Sequence, residues 1–124
     1  MANTVLLWIG SLLPILWGIA HLFPTGSIVR GFGSISDDNR RIITMEWIAE
    51  GLALIFIGSA ALTATIVEPA ARVSFALYWV CVVALNVLSI VSLFTGFRIR
   101  FLPFRLCPPI FTGSSILILL GMLL

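Results

Sequence analysis

Residues 73–94 read VSFALYWVCVVALNVLSIVSLF, twenty-two positions without one charged side chain. A helix rising ~1.5 Å per residue needs roughly 20 apolar residues to cross a hydrocarbon core of about 30 Å. This stretch has that length, and its apolar residues run continuously. A transmembrane β-strand would instead alternate apolar and polar positions over roughly ten residues. The segment therefore reads as a membrane-spanning α-helix.

Three further stretches have the same character: 5–23, 42–64 and 107–124. Together they account for most of the 124 residues, which predicts an all-α fold: one transmembrane domain over 1–124, a four-helix bundle with antiparallel up-down neighbours. Composition agrees, since 60% hydrophobic and 10% charged residues lie far from the roughly 25% charged share of soluble domains. One histidine, two cysteines and no lysine argue against disulfide scaffolds, zinc ribbons and extended nucleic-acid surfaces. The first span follows Met1-Ala2-Asn3-Thr4, without a basic leader, and is expected to be retained. Within it Pro14 stands four residues from both Gly10 and Gly18, so a kink and a close helix approach are expected.

The segments between spans carry the charge. Arg30, Arg40 and Arg41 lie in 24–41, Arg98, Arg100 and Arg105 in 95–106, and Arg72 alone in the second loop. Six against one places loops 24–41 and 95–106 in the cytoplasm and both termini outside, with a bacterial inner membrane as the expected location. Ser36-Asp37-Asp38-Asn39 offers oxygen acceptors to the free N–H groups of a helix start, so the second helix is expected to begin in water and enter the membrane near Ile42. The glycines of Arg30-Gly31-Phe32-Gly33-Ser34 lack the ending of a phosphate loop and read as a flexible turn. Pro108 and Pro109 are expected in the first turn of the last helix.

Ionisable groups within spans are costly, roughly 2.5–3.5 kcal/mol for a central charge, and each one calls for a function. His21, Glu46 and Glu50 are the three. Counting from the arginine-rich end, they fall at overlapping depths on two consecutive antiparallel helices, and Asn86, Ser89, Thr112 and Ser115 fall at similar depths on the other two. Glu46 and Glu50 are four apart, as are Trp17 and His21, so each pair is expected to turn inward together. The reading is a polar pocket near the cytoplasmic side, with His21, Glu46 and Glu50 catalytic. Trp17, Trp47, Asn86, Ser89, Thr112 and Ser115 contact the substrate, and Trp79 is a further candidate wall. Glu50 serves as buried proton donor and His21 or Glu46 as base, in isomerisation or hydration of a small lipophilic substrate. The bland reading stands beside it, because polar side chains also bond helix to helix in membranes. Tyr78 and Trp8 are assigned to an interfacial aromatic belt.

No cofactor is expected. One histidine and two carboxylates without an E-x-x-H pair do not make a di-iron bundle, and no metal is expected. The expected partners are the lipid bilayer and a small lipophilic molecule, a homo-oligomer being compatible and nucleic acid not. A proton-coupled transporter and an accessory membrane subunit are the alternatives. In outline the chain is similar to the small multidrug resistance transporters and to small bacterial four-helix membrane proteins of DoxX type. The former carry their essential carboxylate in the first helix, whereas here the acids lie in the second, as Glu46-Trp47-Ile48-Ala49-Glu50.

Overall fold

The computed structural model describes residues 2–124. The described residues form five helices: α1 (Thr4–Leu22), α2 (Thr25–Gly31), α3 (Asp37–Val67), α4 (Arg72–Thr95) and α5 (Leu102–Leu123). All but α2 are long and apolar enough to cross a membrane. Their outward faces carry large apolar side chains, among them Phe56, Val80, Val83 and Ile90, as an integral membrane protein requires when its surface is solvated by lipid. The four spans alternate in direction and close into a ring in which α1 packs on α3 and α5, and α4 packs on α5 and α3. The α3–α4 side is the most loosely packed of the four. The Asn3 amide donates to the Gly121 carbonyl at 2.7 Å, tying α1 and α5 together at the ends remote from the arginine-rich loops.

Local chemistry sets the helix limits. Ser36 caps α3, its hydroxyl accepting from the Asn39 amide at 3.2 Å, and Asp37 and Asp38 place negative charge in the first turn, where the helix dipole favours it. The expected start of this helix outside the apolar stretch is thus observed. The second loop is as tight as its length requires, with the Ser74 hydroxyl donating to the Glu68 carbonyl at 2.6 Å.

Two segments depart from expectation. Loop 24–41 contains a short helix over 25–31, where Thr25 donates to the Leu22 carbonyl at 2.6 Å and Val29 is buried. The turn expected at 30–34 follows directly on it, with Gly33 at φ +72°. The last helix starts at Leu102, with Pro103 in the first turn, so Pro108 and Pro109 lie well inside it. Both lack an N–H, which leaves the carbonyls of Phe104 and Arg105 without their usual helical partners.

Close packing centres on α1. A Cβ at Gly18 would lie 2.6 Å from the Gly51 carbonyl oxygen, so the backbones of α1 and α3 touch at a point only glycine allows. One turn further out, Pro14 removes the donor for the Gly10 carbonyl. Ser114 of α5 replaces it, its hydroxyl donating to Gly10 at 2.5 Å. Leu7, Leu54, Tyr78 and Ile118 fill the interior of the half remote from the arginine-rich loops, and Phe111 fills the centre of the bundle. Tyr78 is therefore a core residue and not part of a belt. Thr65 spends its proton on the Ala61 carbonyl, and the phenol donates to the Thr65 oxygen at 3.0 Å. Trp8 is exposed, as a belt position would be.

Candidate functional site

Between the halves of the four spans nearest the arginine-rich loops lies a cavity of about 470 Å³. It is open at the arginine-rich end, where Pro24, Gly96, Ile99, Phe101 and Pro103 form its rim. Trp17, Ala20 and His21 of α1, Trp47 and Glu50 of α3, Leu88 and Ser92 of α4, and Phe104 and Cys107 of α5 form the walls. Nearly all of this surface is hydrocarbon or aromatic. His21 and Glu50 are its ionisable side chains apart from the Cys107 thiol, and no arginine lines it.

His21 stands in the last turn of α1. Its imidazole stacks on the Trp47 indole with ring centres 4.0 Å apart and planes 13° from parallel. The indole N–H donates to the His21 carbonyl at 2.8 Å. One tryptophan thus holds both the ring and the backbone of the histidine, and Phe104 meets the other side of that indole edge-on at 5.5 Å. The imidazole Nε2 is 3.6 Å from Glu50 Oε2, too long for a hydrogen bond. Nε2 is fully covered and has no hydrogen-bond partner. The exposures of the two side chains, 7% for His21 and 38% for Glu50, are the reverse of the expected order, in which the glutamate is the more deeply buried group. Glu50 reaches its oxygen toward the imidazole from the open side.

Glu46 does not share this position. It is exposed and lies on an outer groove between α3 and the α4–α5 side, so the expectation that both acids turn inward fails for this one. The buried stripe of α3 runs through Gly51, Leu54, Gly58, Ala61 and Thr65, centred close to the direction of Trp47. At ~100° per residue Glu50 is roughly 60° off that line and Glu46 roughly 100° off. Spacing of four keeps two side chains on one face of a helix without specifying which face is buried.

The remaining polar residues pair with one another. Asn86 donates to Ser115 at 2.6 Å and to the Val82 carbonyl at 2.8 Å. Ser89 donates to the Pro108 carbonyl at 3.1 Å and accepts from Thr112 at 2.7 Å. All but the Val82 bond join α4 to α5, and Asn86, Ser89, Thr112 and Ser115 do not line the cavity. Trp17 and Trp47 do line it, whereas Trp79 is exposed, edge-on to Phe75. Phe101, Phe104 and Cys107 were not singled out from sequence. The early start of α5 places Cys107 in the cavity wall, where its sulfur accepts from the Trp17 indole at 3.4 Å. Compared with known proteins, the chain matches no family model, no curated protein and no solved structure.

Proposed function

We propose that the chain is a membrane enzyme for proton-transfer chemistry on a small lipophilic substrate, with His21 and Glu50 as its acid–base pair. The observation that carries this reading is the unpartnered, buried Nε2 of His21 facing a carboxyl 3.6 Å away inside an apolar cavity. A buried polar atom without a partner costs about 1–3 kcal/mol, and such a cost is sustained where the atom has a use. An oxygen-bearing substrate that moves the Glu50 carboxyl aside from Nε2 would supply the missing partner.

The simplest balanced reaction is isomerisation of a β,γ-unsaturated carbonyl compound to its conjugated form. His21 takes a proton from the carbon between carbonyl and alkene. Glu50 stands beside the carbonyl oxygen, where a proton held between the pair can be shared with that oxygen as it gains negative charge. The same proton then returns to the far carbon of the dienolate. No co-reactant is consumed. Hydration of a polarised alkene would use the same pair with one water added. Glu46, outside the cavity, has no direct part in either.

Proton-coupled transport is the second class. The packed half remote from the arginine-rich loops, closed by Leu7, Leu54, Tyr78 and Ile118 with Phe111 at the centre, favours a one-ended pocket over a through path. The arginine distribution points the mouth of that pocket to the cytoplasm, and a bacterial inner membrane remains the expected setting.

The test uses the purified protein in detergent with lipophilic β,γ-enones of graded length, following conjugation by ultraviolet absorption. Activity lost in both Glu50→Gln and His21→Ala at unchanged melting temperature supports the assignment. Full activity in either variant, loss only through unfolding, or no turnover or binding of any enone by the parent chain overturns it.

A further inference from the structure

The outer groove that holds Glu46 is lined also by Ile43, Ala49 and Ala53, and it shares Trp47, Glu50, Leu88 and Phe104 with the cavity. A wall common to an interior cavity and a lipid-facing groove is a doorway between them. It lies on the α3–α4 side of the ring, the side with the least helix packing. Glu46 marks the shallow end of the groove. Ala53, about 10 Å further along α3 at ~1.5 Å per residue, marks the deep end, and the two alanines leave space for a chain lying against the helix.

We infer that the substrate is a single-chain lipid with a small uncharged oxygen head, a long-chain or isoprenoid aldehyde or ketone, whose binding a long-chain alcohol reports without reacting. Its head lies against His21 and Glu50, and its hydrocarbon tail leaves between α3 and α4 along Ala49 and Ala53. This assignment rests on the acid–base reading of the cavity and extends it to substrate class and route. The head is uncharged because no arginine lines the cavity to neutralise a phosphate, while a carboxyl does, and an unpaired charge is expensive in such surroundings. The head is small because His21 and Glu50, with the hydroxyls of Ser92 and Thr95, are the few polar side chains in a mostly apolar wall. The tail is apolar and flexible because its path is open to the bilayer.

The test is photolabelling of the whole protein in phosphatidylcholine vesicles, with crosslinks mapped by mass spectrometry. One hexadecanol probe carries a diazirine beside the hydroxyl and another carries it near the chain end. The first is expected to label Trp17, His21 or Cys107, and the second Ala53 or Leu88. Unlabelled hexadecanol should remove both signals, and added phosphatidylglycerol neither. Ala53→Trp, a change on the lipid side of α3, should cut cavity labelling by hexadecanol about tenfold while a photoreactive butanol still labels the cavity. If butanol labels the cavity and hexadecanol does not, or if Ala53→Trp changes nothing, the tail route is wrong and the cavity reading stands. If neither alcohol labels the cavity of the parent protein, the acid–base reading falls together with this one. Competition by phosphatidylglycerol would overturn the uncharged head.

Discussion

The Ser114 hydroxyl and the Gly10 carbonyl, on helices α5 and α1, are 2.5 Å apart, and the bond exists because Pro14 has no N–H to offer that carbonyl. A hydrogen bond missing within one span is thereby used as a fastener to another. Ser114→Ala should lower stability by about 1–3 kcal/mol, the cost of a buried acceptor left unpaired. In a Pro14→Ala background the helix supplies its own donor, and the same serine change should cost distinctly less. Unfolding in mixed micelles followed by circular dichroism measures the four proteins of this cycle, and equal costs in both backgrounds would separate the serine from the proline.

The contact of Gly18 with Gly51 makes a second prediction about stability. Adding one methyl at Gly51 meets Leu22 at 2.6 Å, so Gly51→Ala should destabilise by about 1–3 kcal/mol through overpacking. Gly113 has nothing within 4 Å of the same virtual methyl, and Gly113→Ala should be neutral or gain roughly 0.5–1 kcal/mol from helix propensity. The order of melting temperatures in one detergent checks both.

Glu50 and Glu46 should behave differently. Glu50→Gln keeps the volume and much of the hydrogen bonding at the cavity wall and removes the transferable proton. Its turnover should fall by roughly 10²–10⁴, the range of general acid–base contributions, at unchanged melting temperature. Glu46→Gln should retain turnover within about threefold, since loss of an exposed charge alters the site only by screened electrostatics. Enone conjugation rates measure both.

Orientation is open to direct measurement. With cysteine introduced at Ser34 or Ala70, an impermeant maleimide applied to intact cells should modify only the Ala70 position, because arginine-rich loops are retained inside. The endogenous thiols of Cys81 and Cys107 are buried and do not compete. Modification at Ser34 from outside would reverse the bundle in the membrane.

The spans were legible because membrane insertion is written in unbroken apolar length, and the Ser36 cap because one hydroxyl before two acids is a local signal. The direction of Glu46 was not, since which stripe of α3 is buried depends on where Gly51 and Gly58 let α1 approach. Tyr78 and Trp8 look alike as amphipathic aromatics, and only the position of Thr65 across the interface draws Tyr78 inside. His21 and Glu50 could be matched by depth alone because they face each other on helices adjacent in sequence. Depth failed to separate Asn86, Ser89, Thr112 and Ser115 from the cavity, since a shared level in the bilayer does not distinguish an interface between two helices from the space among four. The short α2 follows from a hydrogen bond to the end of α1, beyond the reach of composition.

Trp47 has a consequence for experiment. Its indole is stacked on the imidazole and bonded through its N–H to the backbone of the same residue, so a molecule that shifts His21 must also change the surroundings of that fluorophore. The protein carries an optical reporter in the wall of its own cavity. Occupancy can be followed from Trp47 emission, without a dye or a label, by comparing the parent chain with a variant in which Trp47 is phenylalanine.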